Sequence, residues 1–235
     1  MDSSLTTIGF DADDTLWQNE TFFKLTQDRF EELLSEYADP RDLDRRLREA
    51  EVRNIQAYGY GVKGFTLSMI ETAIEVTDER VPVRIIRALV DMGRDMLDHP
   101  MELLPGAEDA VVALKSDFRL VLITKGDLLH QEKKLAQSGL GDHFDGVEIV
   151  SEKTPATYVD AFARHGSGAR SAMMVGNSMK SDVIPALQAG SWGVHVPHEL
   201  EWDMERADAP EDHHRFHQIE TLGALSGLVR SLSNG

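Results

Sequence analysis

Short apolar runs alternate with helical patterns over most of this chain, and that alternation limits the folds the chain can adopt. The apolar runs that are typical of strands lie at 5–10, 120–123, 147–150, 172–175 and 192–196. Helices are expected at 105–115, 128–138, 157–164, 181–189 and 222–232. Strands that alternate with helices predict a parallel sheet with helices on both faces. The sequence therefore predicts an α/β fold with a doubly wound parallel sheet, Rossmann-like and three-layered, as its core.

Residues 17–100 form a block that breaks this alternation. Apolar side chains recur there near helical spacing, and no segment has a convincing strand pattern. Breaks at Asp39-Pro40, at Gly59–Gly64 and at Val81-Pro82 divide the block into about four helices. We therefore expect a core formed by 1–16 and 101–235, with an all-helical cap at 17–100 inserted after the first strand.

The composition excludes several classes of protein. The chain has 41 Asp and Glu against 24 Lys and Arg, a formal charge of −17, which disfavours nucleic acid and anionic membranes as partners. It has no cysteine, so disulfides, Cys–zinc sites and a cysteine nucleophile are excluded. A small anionic substrate is still compatible with this charge, because such a substrate responds to local cations and to a metal ion.

The sequence carries no signal for secretion or membrane insertion. Its first residues lack a basic segment followed by a long apolar stretch, and no segment approaches the roughly 20 apolar residues of a membrane helix. We therefore expect a cytoplasmic protein. The oligomeric state is left open.

Polar and charged residues follow each of the first four predicted strands. They are Asp11, Asp13, Thr124, Lys125, Lys153, Asn177 and Asp182. Any one of them is explained by helix capping or a turn. In a doubly wound sheet, however, ligands bind beyond the carboxyl ends of the strands. Four such coincidences at one edge of the sheet favour a functional site.

These residue types suit phosphoryl transfer, which needs a nucleophile, a proton donor and cations. The carboxylate of Asp11 can attack phosphorus, and Asp13, two residues further on, can reach the leaving oxygen. Thr124 can donate a hydrogen bond to a phosphate oxygen, and Lys153 supplies a positive charge. Magnesium prefers oxygen ligands and keeps several waters, so a few oxygens at this edge are enough to hold it.

The motifs FDADDTLW, LITKG, SEK and VGNSMKSD resemble those of the haloacid dehalogenase-like hydrolase superfamily in order and spacing. The helical insertion resembles the cap of its C1-type members. This resemblance implies that Asp11 is the nucleophile and that Asp13 is first the general acid and then the general base. It also implies that the Asp13 carbonyl binds magnesium, that Thr124 binds the phosphoryl group and that Lys153 steadies it.

The chain departs from the family pattern at two positions. The fourth motif usually begins Gly-Asp, whereas this chain has Gly176-Asn177. Asn177 can bind a metal through its amide oxygen but adds no charge, while Asp182 keeps the second acidic position and binds the metal directly or through water. Lys125 replaces a common Asn, and it either adds positive charge beside the phosphate or points to solvent.

The leading interpretation is a magnesium-dependent phosphatase that hydrolyses a small-molecule phosphate monoester through an aspartyl-phosphate on Asp11. Three alternatives stay open: a 2-haloacid dehalogenase, a phosphomutase of the same superfamily, and a non-catalytic binding protein on this fold. Asp13, Thr15 and Asp182 favour the phosphatase over the dehalogenase. Asn177 is the one feature that favours the non-catalytic protein.

The sequence does not name the substrate, which the cap is expected to select. The segment Gly59–Gly64, which contains Lys63, is a candidate for substrate contact, and FDADDTL also resembles nucleotidase-type members. His213, His214 and His217 are expected in a solvated loop or short helix. His195 and His198 are expected to pack in the core or at its rim.

Overall fold

The computed structural model of the protein describes residues 4–200 and 202–233. Residues 1–3, 201 and 234–235 of the expected core therefore lie outside the described residues. The chain divides into two compact units. One comprises Met1–Glu20, Met101–Lys125 and Gln131–Gly235, and the other comprises Thr21–Pro100 and Gly126–His130.

The first unit is built on a parallel sheet, which has six strands within the described residues. The strands are β1 (Thr7–Phe10), β2 (Arg119–Lys125), β3 (Gly146–Val150), β4 (Ala172–Gly176), β5 (Trp192–His195) and β6 (Phe216–Gln218). Their order is β3-β2-β1-β4-β5-β6, and each neighbouring pair is parallel. The chain changes direction across the sheet between β1 and β4, which is where ligands bind in doubly wound sheets.

Helices cover both faces of this sheet and make up the second unit. In chain order they are α1 (Glu20–Leu34), α2 (Pro40–Tyr58), α3 (Val62–Val76), α4 (Val83–Asp98), α5 (Ala107–Lys115), α6 (Leu128–Ser138), α7 (Pro155–His165), α8 (Ile184–Gln188) and α9 (Leu225–Ser233). Among the described residues, no helix is both long and apolar enough to cross a membrane.

The continuous apolar run of β2 has the burial that its sequence predicts. Leu120 and Leu122 belong to one hydrophobic cluster, and Val121 and Ile123 belong to another. Successive side chains of a strand point to opposite faces, so the two clusters lie on the two sides of the sheet. The α/β fold class with a doubly wound parallel core is therefore confirmed.

Two elements of this unit differ from their predictions. The helix expected at 181–189 begins with a wide π-helical turn at Met179–Val183 and becomes α-helical only at Ile184–Gln188. The edge strand β6 was not predicted, because it has only three residues, two of them polar and one of them exposed. The expectation of a loop or short helix is thus wrong for His217, which lies in β6 and stacks on Trp192.

The second unit contains α1 to α4, with no strand among residues 21–100 as the structure describes them. Asp39 caps α2 by accepting the backbone N–H groups of Arg41 and Asp42, and Pro40 starts the helix. Gly59 and Gly61 separate α2 from α3 with positive φ angles of 74° and 104°. The interior of this unit is filled by apolar side chains, among them Phe30, Leu34, Leu43, Leu47, Met69 and Leu89.

Candidate active site

Asp11 lies directly after β1, in the middle of the sheet, and its side chain is buried. Its backbone N–H donates to the Val175 carbonyl at 2.9 Å, which extends the pairing of β1 with β4 by one residue. The Thr15 hydroxyl donates to Asp11 Oδ2 at 3.1 Å and accepts the Asn177 backbone N–H at 3.0 Å. Thr15 therefore orients the Asp11 carboxylate and joins the turn after β1 to the turn after β4.

Lys153 lies between two buried carboxylates. Its ammonium Nζ is 2.5 Å from Asp11 Oδ1 and 2.6 Å from Asp182 Oδ1. Asp182 Oδ2 accepts the Ser178 backbone N–H at 3.0 Å. The three side chains are at least nine-tenths buried, so the pair interactions act in a medium of low dielectric.

The charges in this group are not balanced. Burial, together with the nearby Asp182, raises the pKa of Asp11 to about 7, although Lys153 opposes the shift. Burial alone would lower the pKa of Lys153, but Asp11 and Asp182 raise that pKa above its usual value, so the lysine stays protonated. A further cation beside Asp11 would favour the ionised carboxylate that nucleophilic attack requires.

Asp13 is held by three donors. Trp17 Nε1 lies 2.7 Å and Lys134 Nζ 2.8 Å from its Oδ1, and Gln131 Nε2 lies 2.8 Å from its Oδ2. Burial tends to raise the pKa of Asp13, but Lys134 and the hydrogen bonds from Gln131 and Trp17 hold this pKa below its usual value. These donors favour the ionised carboxylate, the form that can take a proton from water, so Asp13 must first be protonated before it can act as a general acid.

The sequence analysis missed Gln131 and Lys134. Both lie on α6, which follows the Thr124 motif, and both are buried. A signal was available, because two long polar side chains three residues apart face the same way on a helix. An amphipathic pattern alone assigns such residues to the solvent face.

Thr124 and Lys125 end β2 with different partners. The buried Thr124 hydroxyl accepts a bond from Gln131 Nε2 at 3.3 Å. Lys125 does not point to solvent, since its side chain is 12% exposed and its ammonium donates to Ser181 Oγ at 2.8 Å and to Glu205 Oε1 at 2.6 Å. Glu205, which the sequence analysis also missed, accepts a second bond at Oε2 from the Ser178 hydroxyl at 2.5 Å.

The Asn177 side-chain amide faces the Asp13 carbonyl oxygen, which the resemblance assigns to magnesium, and two further oxygens of Asp11 and Thr15. One end of the amide lies 3.1 Å from Asp11 Oδ2 and 3.2 Å from both the Asp13 carbonyl oxygen and Thr15 Oγ1. The two orientations of an amide have nearly the same shape. With nitrogen at that end, Asn177 donates to these oxygens; with oxygen there, it joins them as a ligand.

This group fits magnesium. Cis ligands of an octahedral Mg²⁺ with bonds of about 2.1 Å lie about 3 Å apart, which matches the distances of 3.1 and 3.2 Å from the Asn177 amide to the Asp11 and Asp13 oxygens. Asp182 is not part of this group of atoms: its Oδ1 accepts from Lys153 and its Oδ2 from the Ser178 backbone N–H. The group contains only one carboxylate, one carbonyl and one amide. Consistent with this, no group of three or more His, Asp or Glu suited to a metal ion occurs among residues 4–200 and 202–233.

A second acidic pair lies beside Asp13. Asp14, in a left-handed conformation with φ of 59°, accepts the backbone N–H groups of Asn19 and Glu20 at 2.9 and 3.1 Å. Burial and neighbouring carboxylates raise the pKa of Asp14 to about 6 and that of Glu20 to about 7. The edge of the sheet is therefore anionic, which favours a bound cation.

The histidines have structural contacts. His195 Nε2 lies 3.0 Å from the Asn177 carbonyl oxygen, so this residue at the end of β5 supports the turn after β4. His198 Nε2 lies 3.7 Å from Asp14 Oδ1. His213 and His214 stack on each other, with ring centroids 5.1 Å apart.

Carboxylates and a buried lysine at the strand ends of a doubly wound sheet define a hydrolase of the haloacid dehalogenase type. The chain belongs to this family, since the model of the haloacid dehalogenase-like hydrolases matches residues 5–190. The family predicted from the four motifs is therefore confirmed.

Solved structures have the same fold. A haloacid dehalogenase-like family hydrolase from Xanthomonas campestris is 41% identical with a TM-score of 0.88, over 98% of this chain and 93% of that one. The magnesium-bound putative HAD-hydrolase YfnB from Bacillus subtilis is 18% identical with a TM-score of 0.66, over 97% and 99% of the two chains. The latter likeness shows the fold alone.

A shorter match is to a curated nucleotidase. The chain is 30% identical to the pyrimidine 5'-nucleotidase YjjG of Escherichia coli over 93 residues. The matched part is 37% of this chain and 41% of that protein, so the chain spans less than half of this relative.

Proposed function

We propose that the protein is a magnesium-dependent phosphatase that hydrolyses a small-molecule phosphate monoester through an aspartyl-phosphate on Asp11. The observation that carries this proposal is the convergence of Asp11 Oδ2, the Asp13 carbonyl and the Asn177 amide, with Lys153 bound to the other Asp11 oxygen. Such an arrangement provides a metal-binding oxygen and an attacking oxygen on the same carboxylate.

Two displacement steps complete the reaction. Asp11 Oδ1 forms a bond to phosphorus as the bond from phosphorus to the ester oxygen breaks, and Asp13, protonated when the substrate binds, gives that proton to the departing oxygen. Asp13 then takes a proton from a water molecule whose oxygen attacks the phosphorus, and inorganic phosphate leaves Asp11. Thr124 and Lys153 bind the phosphoryl oxygens in both steps. A bound Mg²⁺ would offset the negative charge of the phosphoryl group and of Asp11.

Dehalogenation is the competing reaction at the same carboxylate. It needs neither a metal-binding group nor a proton donor two residues after the nucleophile. The oxygens gathered around the Asn177 amide therefore favour phosphate chemistry.

The test is release of inorganic phosphate from a panel of esters that includes nucleoside monophosphates, sugar phosphates and phosphoglycolate, with magnesium or with a chelator. We expect release that depends on magnesium and no halide release from 2-chloropropionate. Halide release from 2-chloropropionate, without phosphate release from any ester, would reject the proposed phosphatase and identify the protein as a dehalogenase.

Asn177→Asp should increase the affinity for magnesium, because the change adds a carboxylate 3.1 Å from Asp11 Oδ2. Without a cation the same change brings two carboxylates together, so the melting temperature in chelator should fall below that of the wild type. Calorimetric titration with Mg²⁺ and thermal unfolding measure the two effects.

The matched control for this variant is Gln188→Glu, which makes the same charge change at an exposed position near the end of α8. It should alter neither measurement. Equal magnesium affinities for Asn177→Asp and the wild type would exclude residue 177 from the metal's ligands.

A further inference from the structure

The helix α6 presents two buried polar side chains to Asp13. Gln131 and Lys134 lie three residues apart and therefore on one face of the helix. Their exposed fractions are 3% and 9%. Lysine and glutamine are rarely buried to this degree unless they are paired, so the contacts they make account for their position.

Lys134 fixes one oxygen of Asp13. Its Nζ lies 2.8 Å from Asp13 Oδ1 and 2.8 Å from Asn19 Oδ1, and Trp17 Nε1 donates to the same Asp13 oxygen. Asn19 and Trp17 both belong to the segment that connects β1 to α1. Lys134 thus ties α6 to that segment through the carboxylate of Asp13.

Gln131 binds the other oxygen of Asp13 and connects it to the phosphate-binding strand end. Its Nε2 lies 2.8 Å from Asp13 Oδ2, 3.3 Å from Thr124 Oγ1 and 2.8 Å from the Lys125 carbonyl oxygen. The amide nitrogen of Gln131 therefore fixes the Asp13 carboxylate relative to the Thr124 hydroxyl.

Proton transfer to the leaving oxygen requires Asp13 and Thr124 to keep a well-defined distance from each other. A proton passes to the leaving oxygen only if Asp13 lies within hydrogen-bond distance of that oxygen while Thr124 holds the phosphoryl group. A displacement of about 1 Å can cost about 100-fold in rate. Without hydrogen bonds from Lys134 and Gln131, the Asp13 carboxylate would sample several side-chain rotamers.

We propose that Lys134 and Gln131 are positioning residues that hold the Asp13 carboxylate in register with Thr124 for proton transfer at the leaving oxygen. This inference rests on the proposed phosphatase function. Lys134 and Gln131 touch neither phosphorus nor the attacking carboxylate of Asp11, and they act through Asp13.

The test is kinetic and uses Lys134→Met, which keeps the length of the side chain without its charge. We expect kcat to fall about 10- to 100-fold for alkyl phosphates, which need a proton on the leaving oxygen. For p-nitrophenyl phosphate, whose leaving group needs little protonation, kcat should fall less than about threefold. KM should change little for either ester, and Lys134→Arg should recover most of the lost rate.

Asp13→Asn provides the decisive comparison, since loss of general acid–base catalysis should slow alkyl phosphate hydrolysis by about 10²–10⁴-fold. If Lys134 acts through Asp13, the double variant will be no slower than Asp13→Asn alone. Multiplied losses in the double variant, or equal losses for both kinds of ester, would overturn the proposal. Lys133→Met, an exposed neighbour on α6, should leave every rate unchanged.

A crystal structure of Lys134→Met decides the positioning role independently of activity. Rotation of the Asp13 carboxylate away from Gln131 would support it, and an unmoved carboxylate would overturn it. Absence of phosphate release by the wild type would instead reject the proposed function, with the crystal structure still deciding whether Lys134 positions Asp13.

Discussion

Replacing Asp11 by asparagine is expected to reduce phosphate release to the background of a blank reaction while the protein stays folded. The amide has the shape of the carboxylate but is too weak a nucleophile to attack phosphorus, so the first step cannot occur. The substitution also removes a negative charge from a buried site in which Asp11 and Asp182 share one lysine. The melting temperature of the variant in chelator should therefore equal or exceed that of the wild type.

Mass spectrometry of acid-quenched protein tests the covalent step directly. The wild type, mixed with a substrate and quenched within one turnover, should carry a phosphoryl group on the peptide that contains Asp11. The variant should carry none. Turnover of Asp11→Asn near the wild-type rate, at unchanged thermal stability, would reject a covalent mechanism at this residue.

Local pattern was sufficient to predict the fold class. The apolar run of β2 predicted a strand buried on both faces, and its side chains divide between two clusters. The bounds of α6, Leu128–Ser138, are the ones that its sequence pattern indicated. The edge strand β6 could not be predicted in this way, since three residues without a fully buried side chain give no periodicity.

The partners of the site residues lie too far apart in sequence for such reasoning. Nothing in the sequence around Lys125 indicates its carboxylate partner, Glu205, which lies 80 residues away. Lys134 and Asp13 are 121 residues apart. The sequence could indicate that charged groups meet at the edge of the sheet, but only the packing of α6 and the segment after β5 determines which groups pair.

The Asn177 contacts illustrate the same limit. The sequence showed that an amide replaces a carboxylate at the metal-binding position, and it could not show what that amide would touch. In the structure the amide lies near a carboxylate oxygen, a carbonyl oxygen and a hydroxyl. Its nitrogen can donate hydrogen bonds to these oxygens, and its oxygen can bind a metal together with them. The neutral side chain therefore suits the site with or without a cation.

Lys153 is expected to be the residue of the site on which stability depends most. Lys153→Met removes the one cation that contacts both Asp11 and Asp182 among the described residues, and it leaves these two carboxylates buried without that partner. Breaking a buried ion pair by removing one partner typically costs about 3–5 kcal/mol. We expect a decrease of that size in the free energy of unfolding, measured by urea denaturation in chelator, together with loss of phosphate release.

Two further variants separate charge from packing in this prediction. Lys153→Met combined with Asp182→Asn should recover much of the stability, because one of the unpaired carboxylates becomes neutral, but it should not recover activity, which needs a cation beside the phosphoryl group. Lys63→Met removes a lysine whose side chain is 55% exposed and paired with Asp127, and such exposed pairs contribute less than about 1 kcal/mol. If Lys153→Met unfolded at the same urea concentration as Lys63→Met, the buried triad would not stabilise the fold. If Lys153→Met lost stability and the added Asp182→Asn did not restore it, the loss would come from the missing packing of the lysine side chain rather than from the unpaired charges.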